Sequence, residues 1–136
     1  MATQEVTLPL PEELYVRFQQ TAEATRQSVV DVLLHAVEVG SPPRWEDAPA
    51  AFQTDLAALD RLDDGALWRI ARSHAAVDMD RFQELLDKHT SGTLNPAEKS
   101  GLVALQHEAD SLMLRKAHAA ALLRWRGHTL PPAETL

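Results

Sequence analysis

The chain of 136 residues contains no cysteine. That absence excludes a disulfide framework, a thiolate metal site and a thiol nucleophile, and it suits a reducing compartment. Glycine is sparse, at 5 residues, and aromatic residues make up only 5% of the chain. No glycine-rich phosphate loop, nucleophile elbow or HExxH helix can be found, and none of the 6 histidines is paired at i, i+4 spacing. No apolar run approaches a membrane span, and Met1-Ala2-Thr3-Gln4-Glu5 lacks the basic and apolar regions of a signal segment. These absences lead us to expect a cytoplasmic protein that is not an enzyme, with no cofactor and no metal.

What is present is alanine, leucine and charge. Apolar residues reach 45%, enough to bury a core, and β-branched runs are scarce outside Val29–Val39, so the expected class is mainly α. The net charge of −7 is uneven. Residues 1–40 set Arg17 and Arg26 against Glu5, Glu12, Glu13, Glu23, Asp31 and Glu38, a balance of −4. Residues 96–136 are slightly basic, at +1. A strong nucleic-acid binder carries a basic footprint that neutralises phosphates, and this chain has none at its N-terminus.

Glu5-Val6-Thr7-Leu8-Pro9-Leu10 alternates, with Val6, Leu8 and Leu10 on one face, the pattern of a half-buried strand. Pro11-Glu12-Glu13 starts a helix whose buried stripe is Leu14, Phe18 and Ala22. Ser28 caps a second helix, Val29 to Val39, which Gly40 closes. That second helix is apolar nearly all round and must be covered on several sides. One copy of forty residues cannot cover it, and a lone strand cannot satisfy its own backbone. Two copies can do both, so the residues themselves call for a dimer, with Val6, Leu8, Leu10, Val32, Leu33, Ala36 and Val37 at its interface.

This order of elements, carried by Val6-Thr7-Leu8-Pro9-Leu10-Pro11-Glu12-Glu13-Leu14 and Ser28-Val29-Val30-Asp31-Val32-Leu33, resembles the ribbon-helix-helix superfamily of Arc-type and methionine-repressor-type regulators and antitoxins. The resemblance covers residues 3–40. It implies one short strand and two helices in an intertwined dimer, with the polar face of the strand (Thr3, Glu5, Thr7) reading operator DNA and Ser28-Val29 holding a phosphate. It further implies an antitoxin-like regulator whose C-terminal helices neutralise a toxin of the nuclease kind. A dimeric interaction or assembly module that touches no DNA is the alternative, favoured by Glu5, Pro9 and the acidic balance.

Residues 41–49 read as a proline-punctuated linker, 50–128 as a helical partner-binding region and 129–136 as a flexible tail. Helices are expected over 50–59, from Gly65 to about His74 behind an Asp63 or Asp64 cap, and from Asp78 to a stop at Thr90-Ser91-Gly92. Asn95-Pro96-Ala97-Glu98 is a strong start for a long final helix ending before Gly127. Asp87–Glu98 has the length and some ligand positions of a calcium loop, but His89, Lys88 and Pro96 favour a plain helical hairpin. Late in the long helix, Arg115, Lys116, Arg124, Trp125 and Arg126 gather residue types common at protein interfaces, and we expect a protein partner there.

Overall fold

Proline, left-handed backbone and side-chain caps divide the chain into helices. The computed structural model describes residues 2–74 and 79–132. Among them are six α-helices: α1 (Glu12–Thr25), α2 (Val29–Val39), α3 (Ala50–Leu59), α4 (Asp64–Ala71), α5 (Met79–Ser91) and α6 (Pro96–Trp125). They fall into two compact units, Met1–Ser41 and Pro42–Leu136.

The first unit corrects the expected ribbon. No strand occurs among the described residues, and 2–11 precede α1 as an unpaired arm. Val6 and Leu8 stand 76% and 62% exposed. The alternation of Val6, Leu8 and Leu10 is real, but alternation makes a strand only where another segment completes the ladder. Nothing in this unit does so, and Pro9 and Pro11 further thin the donors. The unit is therefore an arm followed by two packed helices, not a ribbon-helix-helix.

Pro11 ends the arm at φ −56 and leads into α1, with Glu12 and Glu13 in the first turn where the helix dipole favours acids. Arg26 stops α1 in the left-handed region at φ 55, which costs a non-glycine residue about 1 kcal/mol. In exchange, the Gln27 N–H donates to the Ala22 carbonyl at 3.0 Å and closes the helix end. Ser28 then caps α2, its hydroxyl accepting from the Asp31 N–H at 3.1 Å. The two helices pack on each other, yet only Ala22 of α1 and Val32 of α2 are buried.

In the second unit α6 is the spine, about 45 Å long at 1.5 Å per residue. Asn95 and Glu98 form a full capping box at its start, with Pro96 in its first turn. Ala119, Leu122 and Leu123 near its end meet Leu56 and Leu59 of α3 and Leu67 and Ala71 of α4 to make the core. Trp45 and Ala48 pack against that core, and Gln53 Nε2 donates to the Glu46 and Ala48 carbonyls, so the proline-punctuated segment is tied down from its middle onward. Leu130 packs there too, while 133–136, at the end of the expected tail, lie outside the described residues. α5 lies on the early part of α6, with buried Leu85 beside Gly101, where a Cβ would stand 3.9 Å from Leu85 Cδ1. Asp78, expected to cap α5, also lies outside the described residues.

Candidate protein-interaction surfaces

Which face of α2 meets α1 decides what it leaves to solvent. Val32 is buried, and Val29, Leu33 and Ala36 are half-buried beside it. At 100° per residue, Val30, Leu34 and Val37 fall within about 60° of one another on the neighbouring face. They stand 63%, 56% and 60% exposed. Asp31, His35 and Glu38 occupy the remaining side, so the exposed stripe itself contains no charge. Leu14, Tyr15 and Val16 of α1 are also exposed, and a shallow cleft of about 480 Å³ runs along that helix, lined by Leu14, Arg17, Phe18, Gln20, Thr21 and Ala24.

Of the residues expected at a dimer interface, Val32 is consumed inside the unit and Leu10, Leu33 and Ala36 are half-buried. Val6, Leu8 and Val37 are exposed. Val30 and Leu34 belong to the all-round apolar surface of α2 but not to the expected interface, although they share i, i+4, i+7 spacing with Val37. What was missing was knowledge of which side α1 would cover. The residues expected to face DNA are spread out: Thr3, Glu5 and Thr7 are exposed on the arm, the Ser28 hydroxyl is engaged in capping, and Val29 is half-buried.

At the far end of α6 the expected basic cluster separates into different environments. Arg124 and Trp125 are exposed, Lys116 is half-buried, and Arg115 lines a groove of about 330 Å³ with Asp55, Ala58, Leu59, Leu62 and Ile70. Arg126 turns inward. Its guanidinium donates to the Leu62 carbonyl at 2.8 Å, to Asp64 Oδ1 at 2.9 Å and to the Asp60 carbonyl at 3.2 Å. Beside it, His128 Nε2 donates to Asp64 Oδ2 at 2.6 Å, and buried His118 Nε2 to Asp60 Oδ1 at 2.8 Å. Gly127, at φ 101, reverses the chain so that His128 returns to Asp64, a conformation that disfavours any side chain. These partners lie 58 to 66 residues apart in sequence, so no local pattern could have revealed the knot.

The knot pins the turn between α3 and α4 to the end of α6. Arg126→Ala strips two backbone carbonyls and a carboxylate of their donor and should lower stability by about 1–3 kcal/mol, read as a lower Tm of the second unit. Arg126→Lys should recover only part of it, because a single ammonium cannot span the three acceptors as a planar fork does. Equal melting of Arg126→Ala and the parent would show that the contacts contribute nothing.

The stretch with the length of a calcium loop, Asp87–Glu98, forms the hairpin between α5 and α6. Residues 87–91 are helical, Asp87 accepts from Gln83, and Glu98 is committed elsewhere. Lys88 Nζ donates to Glu98 Oε2 at 2.5 Å, and the Asn95 N–H donates to Glu98 Oε1 at 3.3 Å. The loop's first and last acids thus serve the α5 helix and the capping of α6. No group of three or more His, Asp or Glu side chains suited to a metal occurs among the described residues. No helix among them is long and apolar enough to cross a membrane.

Two carboxyls in these clusters are shifted. His128, and then Arg126, hold Asp64 below the usual carboxylate range, and the Lys88 hydrogen bond does the same for Glu98. Lys88 is correspondingly raised, chiefly by Glu98. A carboxyl with a depressed folded value stabilises fully above its ordinary value and loses that contribution as pH falls through the folded one. A raised lysine stabilises fully below its ordinary value and loses its contribution as pH rises through the folded one. Thermal melts should therefore be flat in these terms between about pH 5 and pH 10 and fall outside that window. Glu98→Gln should shrink both limbs, and an unchanged pH profile in that variant would show the ion pair to be inert.

No family model matches this chain, and no curated protein or solved structure matches it.

Proposed function

We propose that this chain is a homodimeric protein-interaction module, with the N-terminal helices supplying the self-association surface and the C-terminal unit offered to a protein partner. The observation that carries the reading is the uncharged stripe of Val30, Leu34 and Val37 on a unit whose described residues bury only Ala22 and Val32. A helical pair with so small an interior has too little buried apolar surface to offset the entropy of ordering forty residues. An apolar face of this kind on a small unit marks an interaction site. A second copy suits it because the stripe carries no charge to oppose itself, as an interface built from the same patch on both subunits requires.

Operator binding, which the ribbon resemblance implies, is the rival. The first unit offers DNA only Arg17 and Arg26 against six acids, and the half-buried Val29 and occupied Ser28 hydroxyl add little for a phosphate. In light scattering the full chain should show twice its 15.1 kDa mass. In a low-salt gel shift with DNA from its own promoter region it should cause no retardation. A monomer at all concentrations sinks the dimer, and tight, salt-sensitive retardation sinks the DNA-free reading in favour of a regulator.

A further inference from the structure

We infer that the N-terminal unit has no stable folded form by itself and acquires its helices as two copies associate, so that assembly acts as a folding switch on residues 2–41 alone. The inference rests on the homodimer reading and adds to it a coupling that a dimer of preformed subunits would lack.

α1 has 14 residues and α2 has 11, lengths at which an isolated helix is marginal in water. Their own sequences help little. α1 ends on a left-handed arginine, α2 is rich in β-branched valine, and neither carries a basic residue in its last turn to complement the dipole. Packing must supply the stability, and among the described residues of the unit it fully buries only Ala22 and Val32, leaving Phe18, Val29, Leu33 and Ala36 half-buried. The second unit is different in kind. Its core holds seven buried residues, among them Leu67 and Leu123 with essentially no exposed surface, and long-range polar contacts through Arg126 reinforce it. The chain thus joins a self-sufficient half to a dependent one, and dissociation of the dimer should melt only the dependent half.

Trypsin reports on this directly, since Arg17, in α1, and Arg26, closing it, are the sole lysine or arginine residues of the first unit. Full-length protein is digested briefly over a dilution series from well above to well below the dissociation midpoint, with mass determined in parallel by light scattering or mass photometry. Cleavage after Arg17 and Arg26 should rise at least tenfold as dimer gives way to monomer, while cleavage after Lys99, Arg115 and Lys116 in α6 stays constant. If the dimer is too tight to dilute apart, Leu34→Asp supplies the monomer and should be cut after Arg17 and Arg26 at every concentration. Monomer that resists at those two sites overturns the coupling and leaves the dimer reading standing. Protein that is monomeric throughout overturns the dimer and this inference together. Cleavage that rises equally in α6 also overturns the inference, because the melting would then be global.

Discussion

Leu34→Asp is expected to convert the dimer into a monomer while the C-terminal unit keeps its fold. Judged by the contacts within one chain, this substitution costs little. Leu34 is 56% exposed, it sits in the middle of α2, and aspartate there meets water. Helix propensity alone sets a cost of roughly 0.5 kcal/mol. In the proposed dimer the same carboxylate would be driven into an apolar seam with no cation in its stripe. An unpaired charge buried in that way costs at least several kcal/mol, enough to shift a micromolar dimer beyond measurable association. The comparison is sharpest against Leu34→Ala, which removes packing without adding charge and should weaken the dimer by about 2 kcal/mol or more. Light scattering distinguishes the three states, and a Leu34→Asp protein that remains a tight dimer would remove α2 from the interface.

Leu123→Ala should have the opposite anatomy: a large loss of stability in the second unit and an intact dimer. Leu123 is fully buried in the core that α6 builds with α3 and α4. Truncation deletes its contacts and leaves a cavity that the surrounding helices close only in part, for a cost of about 3–5 kcal/mol. In a unit of this size each kcal/mol moves Tm by roughly 4–8 °C, so a drop exceeding 12 °C is expected. Below the melting range, the mass in light scattering should not change. If Leu123→Ala dissociated the dimer as readily as Leu34→Asp, association would depend on the second unit and the division of labour would fall.

The helices were legible in the sequence because their ends are chemically explicit. Ser28 with Asp31, Asp63 with Ala66 and Asn95 with Glu98 each fix a helix start through contacts three residues apart. Gly127 fixes a stop by the φ it alone takes easily. The strand failed for a complementary reason. Val6, Leu8 and Leu10 carry the right period, but period reports a face, and strand formation depends on a neighbour that lies outside the local sequence. The same limit hid the knot around Arg126, which the sequence reading counted among residues offered to a partner. A cation late in a helix looks the same whether it faces solvent or folds back on a turn sixty residues away. The candidate surface was half legible. Valine and leucine around all of α2 announced that something must cover it, while the contact with α1, which spends Val32 and spares Val30 and Leu34, became apparent only in three dimensions.

The thirty-residue spine of the second unit also has a mechanical meaning. α3 and α4 pack along its later part, from His107 stacked on Phe52 to Leu123, and α5 packs on its early part and makes its main contacts with no other helix. α6 is thus the main packing link between α5 and the core that α3 and α4 close, a rod supported along both of its halves.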